Sequence, residues 1–295
     1  MPSPKKVYLE ITNVCNLSCA FCPGTKRAPK SLDTAAFTQH AEKVRPWADY
    51  LYFHLMGEPT AHPQLPDFLR TANTMGFRTV ITTNGTLLAR RGKDLLCDGV
   101  RPFKISISLH AFEANDISVP FEEYLASCID FTKQASAAGI ITVLRLWNLD
   151  GRTSGALHQM NDAVLTMLHG AFSDPWKEIR TGYRLADRVF LEWGEKFDWP
   201  DLQSPVLQED GSCYGLRDQI GVLADGTVVP CCLYHDGDIP LGNLFTQSLD
   251  EILSSPRAKS IYDGFTAHKC REDLCRRCMR AGYYRNTGKG TAVSP

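Results

Sequence analysis

The sequence has no long apolar run. No stretch approaches the ~20 consecutive apolar residues needed to cross a bilayer, and residues 1–7 lack the hydrophobic segment of a secretory signal. Charge of one sign is missing too: 32 Lys and Arg stand against 33 Asp and Glu, a formal net charge of −1. Such a chain lacks the basic footprint of nucleic-acid and anionic-membrane binders. Tandem repeats and low-complexity segments are also absent. The expectation is a cytoplasmic protein with neither membrane nor nucleic acid as partner. Disulfides are rare in that reducing compartment, so the 11 cysteines point to metal. Their odd number leaves at least one unpaired even if bridges form.

Three of these cysteines fall within eight residues, in Glu10-Ile-Thr-Asn-Val-Cys15-Asn-Leu-Ser-Cys19-Ala-Phe21-Cys22-Pro-Gly. Thiolates are soft ligands that select zinc, copper(I) or iron–sulfur clusters. Three of them leave one corner of a four-iron cluster without a protein ligand, and that iron can bind a substrate or cofactor. On a helix, positions 15, 19 and 22 would share one face as small buried residues. The neighbours oppose that. Val7–Ile11 alternates like a strand, Asn13 and Asn16 favour turns, and Pro23-Gly24 breaks a helix. The thiols are predicted on a loop leaving a strand.

Strand and helix patterns alternate as far as residue 195. Val7–Ile11, Tyr50–Leu55, Phe77–Thr82, Phe103–Leu109, Ile140–Leu146 and Val189–Trp193 read as strands. Thr34–Val44, Pro63–Met75, Leu87–Leu96, Phe121–Ala138 and Gly155–Leu168 read as helices. This alternation predicts an α/β fold with a parallel sheet and right-handed crossovers. Six units are too few for a closed eight-strand barrel and suit a partial (β/α)6 TIM-like barrel over residues 5–200.

Past Ser204 the pattern changes to a small cysteine-rich α+β extension, residues 205–285, and an expected flexible tail, residues 286–295. Asp225-Gly226 between apolar runs is a hairpin signal that delivers Cys231 and Cys232. A helix-like stretch, Ser248–Ser254, precedes Cys270 and the Cys275-Arg-Arg-Cys278 pair. A Cys-x-x-Cys pair closing on an earlier hairpin cysteine builds a four-thiolate site, for zinc or iron–sulfur alike. Cys97 and Cys128 lie in helix patterns and are expected in the core.

Chemistry in parallel barrels gathers at the carboxyl ends of the strands. There lie Met56-Gly57-Glu58-Pro59, Thr82-Thr83-Asn84-Gly85, the alternating Ser106, Ser108 and His110, and Arg145. After the sixth strand, Glu192-Trp193-Gly194-Glu195 and Phe197-Asp198-Trp199-Pro200-Asp201 interleave aromatic and acidic residues. They suit a cationic or polyhydroxylated ligand or, more simply, a seam where tryptophans pack two domains together. Trp147, His54 and His110 are candidates to join that surface.

Cys-x-x-x-Cys-x-aromatic-Cys after a first strand resembles the radical S-adenosylmethionine (SAM) enzymes. The resemblance implies that Cys15, Cys19 and Cys22 hold a 4Fe–4S cluster whose open iron is chelated by SAM, with Phe21 near the adenine. It places Gly57, Glu58 and Pro59 at the methionyl amino group, although Met56 stands where relatives usually carry glycine. It places Thr83 and Asn84 close to SAM. If they face inward, Ser106 and Ser108 would hydrogen-bond SAM or its ribose, and Arg145 would pair with the SAM carboxylate or form a structural ion pair. Cys213, Gly226-x-x-x-x-Cys231, Leu241-Gly242-Asn243-Leu244 and Cys275-x-x-Cys278 resemble the SPASM and twitch extensions of this family. That implies one auxiliary 4Fe–4S cluster on Cys213, Cys231, Cys275 and Cys278, with Cys232 and Cys270 as alternative ligands.

The implied activity is reductive cleavage of SAM to a 5′-deoxyadenosyl radical, followed by hydrogen-atom abstraction from a substrate. A flavodoxin- or ferredoxin-like electron donor and an oxidoreductase outcome are implied as well. No catalytic side chain is singled out. The first strand begins by about residue 6, leaving no room for an added N-terminal peptide-recognition domain, which favours a small-molecule substrate slightly. The alternative is modification of a ribosomally made peptide. A different class also stands: a non-catalytic iron–sulfur or zinc protein for electron transfer.

Overall fold

The computed structural model describes residues 4–149, 159–173, 175–195 and 198–281. Eleven strands form one open sheet among these residues: β1 Lys6–Leu9, β2 Tyr50–Tyr52, β3 Arg78–Thr83, β4 Lys104–Ser108, β5 Ile141–Leu149, β6 Lys177–Ile179, β7 Gly182–Ala186, β8 Val189–Glu195, β9 Gln219–Val222, β10 Thr227–Val229 and β11 Gly242–Asn243. Their order is β11-β10-β9-β1-β2-β3-β4-β5-β8-β7-β6. The pairs from β1 through β5 to β8 are all parallel, as expected for a partial barrel of six strands. No helix among the described residues is long and apolar enough to cross a membrane.

Helices cover one face of the sheet. In α1 (Thr34–Val44), Phe37 stacks on Phe68 of α2 (Leu65–Thr74) at 4.5 Å and meets Phe53 edge-on at 5.4 Å. These rings are fully buried, as are Val7, Leu9, Leu51, Ile81, Ile105, Ile107, Leu144 and Leu191 of the strands. Each such side chain contributes about 1.5–3 kcal/mol relative to exposure. Alternation puts polar residues on the opposite, inner face. Tyr8 is in register with Tyr52, Thr82 with Ser106, Ser108 with Arg145, and Arg145 with Glu192.

Several elements depart from the sequence pattern. The helix expected at Leu87–Leu96 splits into α3 (Leu88–Arg91) and a 3-10 turn from Gly92 to Leu95. Gly92 lies under the ring of Phe131, where a Cβ would stand 2.7 Å from the ring. The fifth helix is Gln159–Ala171; the part of its expected span before 159 lies outside the described residues, as do Phe197 and the tail 286–295. An unexpected antiparallel hairpin, β6–β7, adds to β8. The Asp225-Gly226 hairpin forms as expected between β9 and β10, and β9 pairs in parallel with β1. The extension thereby continues the same sheet. Cys128 is buried, but Cys97 is exposed just past the 3-10 turn, contrary to expectation.

Candidate active site

The three-cysteine loop is held by four segments. Asn13 makes three bonds back to the loop's far end: its N–H to Lys30 O (3.0 Å), its Nδ2 to Ala28 O (2.9 Å), and its Oδ1 accepting Lys30 N (2.7 Å). The end of β2 holds it through Glu58 N to Val14 O (2.9 Å). The turn after β3 holds it through Asn84 Nδ2 to Asn16 Oδ1 (2.9 Å). Asn115, beyond β4, accepts from Ser18 N (3.0 Å) and donates to Cys19 Sγ (3.1 Å). Asn side-chain pairing of this kind gives an irregular loop a fixed shape.

Cys15 is exposed, and Cys19 and Cys22 are half-buried. Burial raises all three thiols above their ordinary pKa, and neighbouring thiols add to it: Cys19 against Cys15, Cys22 against Cys19, Cys15 against Cys22. Three thiolates crowded together need a positive partner. The thiols do not close on one point, however; among the described residues no three His, Cys, Asp or Glu side chains meet around a single ion. Three soft thiolates on one loop suit an iron–sulfur cluster by the chemistry of the donor set.

Glu58 is 2 % exposed and faces Cys15 and Cys19 electrostatically. Its carboxylate is occupied: Oε1 accepts from Thr60 N (2.9 Å) and Thr60 Oγ1 (2.6 Å), and Oε2 from Asn84 N (2.8 Å). It therefore clamps the β2 and β3 turns together, with Thr83 Oγ1 bonding Gly85 N in the same turn. Pro59 opens the short 3-10 turn that Glu58 caps. Gly57 takes φ +77°, and a Cβ there would overlap the Thr12 carbonyl and lie 3.0 Å from Val14 O. Only glycine permits this close approach of the two backbones.

One buried pair escaped the sequence reading. Glu10, fully buried at the end of β1, receives a bidentate fork from Arg27 at 2.8 and 2.7 Å. It also accepts Met56 N (3.2 Å) and Ala224 N (3.0 Å), while Arg27 Nε donates to His235 O (2.8 Å). The cysteine loop, the β2 turn and the C-terminal hairpin are thus tied at one carboxylate. Arg27→Met leaves that charge buried and unpaired, so stability should fall by about 3–5 kcal/mol. Chemical denaturation of the variant measures this directly.

A cavity of about 270 Å³ opens on the inner face of the sheet. Its barrel side includes Tyr8, His54, Thr82, Ser108, Arg145 and Trp147, and its other wall carries Cys213, Cys231, Cys232, Cys275 and Cys278. Phe21 lines it and lies 5.0 Å from the His110 ring. Burial lowers His54 to about 3, so its imidazole is neutral. Ser106, fully buried, does not line the cavity, whereas Ser108 does. Glu195 and Trp199 reach the cavity wall, while Trp193 packs against the core.

The four expected auxiliary cysteines all line the cavity. After burial, Cys232, Cys213 and Cys278 raise Cys231, and Cys213, Cys278 and Cys270 raise Cys275. Burial pushes Cys213 up to about 12 and raises Cys231, Cys275 and Cys278, so as free thiols they are protonated. A bound metal would have to displace those protons. Tyr234 Oη sits 2.8 Å from Cys275 Sγ. Cys232 lies against Tyr8 and is near Cys231 and Cys278, and Cys270 packs beside Gly211 near Cys278.

Comparison with known proteins assigns the family. The Radical SAM superfamily matches residues 9–162, and SPASM, an iron–sulfur cluster-binding domain, matches residues 213–279. The chain belongs to the radical SAM superfamily. More narrowly, it is a SPASM-type member: its first part binds a 4Fe–4S cluster and SAM, and its SPASM domain binds auxiliary iron–sulfur. The antilisterial bacteriocin subtilosin biosynthesis protein AlbA of Bacillus subtilis (strain 168) is 24% identical over 302 residues, covering 93% of this chain and 65% of that protein. The chain thus spans just under two thirds of that relative's length. Two solved structures share the fold. Streptococcus suis SuiB bound to precursor peptide SuiA aligns with TM-score 0.56 and 15% identity over 96% of this chain and 72% of that one. BtrN in complex with AdoMet and 2-DOIA aligns with TM-score 0.51 and 18% identity over 94% and 93%.

Proposed function

We propose that Cys15, Cys19 and Cys22 hold the catalytic 4Fe–4S cluster with one iron left for SAM, and that the substrate occupies the cavity between this loop and the auxiliary cysteines. The observation that carries the reading is a single cavity lined both by Phe21 of this loop and by Cys213, Cys231, Cys275 and Cys278. When bound, cluster and SAM supply a 5′-deoxyadenosyl radical that removes a hydrogen atom from a substrate carbon. The chain's own residues fix the geometry. Asn13, Asn84 and Asn115 hold the loop, and Gly57 lets the β2 turn close on it. Glu58 joins the β2 and β3 turns. Cys213, Cys231, Cys275 and Cys278 would hold one auxiliary cluster, an acceptor for the electron left on the substrate, giving net oxidation. The reductant expected is a flavodoxin- or ferredoxin-like protein.

A small-molecule substrate fits a partly enclosed cavity of about 270 Å³, at the low end of ligand sites. A peptide is the second reading. The relative named for subtilosin biosynthesis and the SuiB complex with its precursor peptide support it. A side chain of an extended peptide would also fill the space.

Anaerobic reconstitution with dithionite and SAM should release 5′-deoxyadenosine; its absence would refute the reading. The ligand set has its own test. Cys232→Ser and Cys270→Ser should keep the iron content of about eight per chain, whereas Cys275→Ser should lose roughly half. Iron assay after reconstitution decides between them.

A further inference from the structure

We propose that Tyr234 tunes the auxiliary cluster: its hydroxyl donates a hydrogen bond to the Cys275 sulfur and makes that cluster easier to reduce. This rests on the reading of Cys213, Cys231, Cys275 and Cys278 as the ligands. Tyr234 lies just beyond Cys231, in the segment that leaves β10, and is 4 % exposed. Its side chain crosses to the helical turn Asp273–Arg276, where Oη lies 2.8 Å from Cys275 Sγ. Among the described residues this Oη has no other hydrogen-bond partner. Between a free phenol and a free thiol, either group can donate. A metal-bound thiolate carries no proton, so with the cluster in place the phenol is the donor and the sulfur the acceptor.

The other three sulfurs meet backbone donors. Gly215 N donates to Cys213 Sγ (3.4 Å). The N–H of Leu233 serves Cys231, and those of Arg280 and Ala281 serve Cys278. A side-chain substitution leaves these in place, so the contribution of Tyr234 can be removed by itself. Reduction adds negative charge, part of which falls on the ligand sulfurs. A donor aimed at sulfur therefore stabilises the reduced state more than the oxidised one, and hydrogen bonds to sulfur are among the features that set cluster potentials. Tyr234 and Cys275 are both buried, so no bond to water replaces this one when it is lost. The step affected is the oxidation of the substrate radical, which loses one electron and one proton. The electron reduces the oxidised auxiliary cluster and the proton goes to water. A higher potential at Cys275 makes that transfer more favourable.

A redox titration followed by electron paramagnetic resonance (EPR) tests the proposal in the reconstituted Cys15→Ala/Cys19→Ala/Cys22→Ala protein, which should keep only the auxiliary cluster. Adding Tyr234→Phe removes one oxygen and keeps the ring. The midpoint should fall, so that the oxidised-to-reduced ratio at a fixed potential rises about tenfold, or about 59 mV for one electron. Tyr234→3-fluorotyrosine, introduced at that site alone, has a more acidic hydroxyl and should move the midpoint the opposite way. In deuterated water the reduced cluster should show exchangeable deuteron couplings that weaken in Tyr234→Phe. A residue that only props the fold would not move the potential in opposite directions. If Tyr234→Phe loses its iron, the fluorinated protein alone decides. An unmoved midpoint in an iron-loaded Tyr234→Phe protein, an unmoved midpoint in the fluorinated one, or shifts of the same sign in both overturns the proposal. Failure of the ligand reading shows separately, and takes the proposal with it, as fewer than about four irons per chain before Tyr234 is altered.

Discussion

Replacing Cys15, Cys19 or Cys22 singly by alanine should abolish 5′-deoxyadenosine release while leaving the auxiliary iron in place. Each thiol is one corner ligand, and two thiolates do not retain a four-iron cluster that must also keep a corner for SAM. Iron should fall from about eight to about four per chain, and the variants should stay folded. Their folding is expected because Cys15 is exposed and Cys19 and Cys22 are only half-buried, so no core packing is lost. Iron and sulfide assay, with circular dichroism as the control, checks both halves of the statement. A variant with full iron and normal turnover would remove its cysteine from the ligand set.

Gly57→Ala should be nearly as damaging, through the backbone alone. The residue sits at φ +77°, which an L-residue adopts at a cost of about 1 kcal/mol. The larger penalty is steric: the new methyl would overlap the Thr12 carbonyl beside the cysteine loop. Either the β2 turn or the loop must move. A shift of about 1 Å in a catalytic assembly can cost about a hundredfold in rate. We expect a loss of at least about that size in 5′-deoxyadenosine formation, with auxiliary iron unchanged. Gly24→Ala is the control, since it also has positive φ (63°) but nothing near its Cβ. Equal losses in the two variants would assign the effect to strain and not to the contact.

The sequence made the six parallel strands and the cysteine loop readable because their signals are local. Apolar alternation marks β1, and Asn13, Asn16 and Pro23-Gly24 mark the loop. What stayed hidden depends on distant partners. Glu10 and Arg27 look like surface charges until the fold buries one against the other. The pairing of β9 with β1 joins residues more than two hundred positions apart. Nothing in Gln219–Val222 announces its partner. The β6–β7 hairpin is short and only partly buried, so its apolar rhythm is weak. Cys97 looked internal because apolar residues precede it, yet the 3-10 turn rotates it outward. Glu58 was read as a SAM contact from its motif; its hydrogen bonds show what else it does in the fold.

The whole account depends on an iron near the exposed loop that the protein leaves for an external ligand. The direct measurement is the EPR spectrum of the dithionite-reduced Cys275→Ser/Cys278→Ser protein, which keeps only the first cluster, recorded with and without SAM. The signal should change on adding SAM, and isotopic labels in its methionyl nitrogen or oxygen should add hyperfine coupling, as expected for direct coordination. An identical spectrum under both conditions would mean that the corner is closed, contradicting the assignment of this loop to radical chemistry.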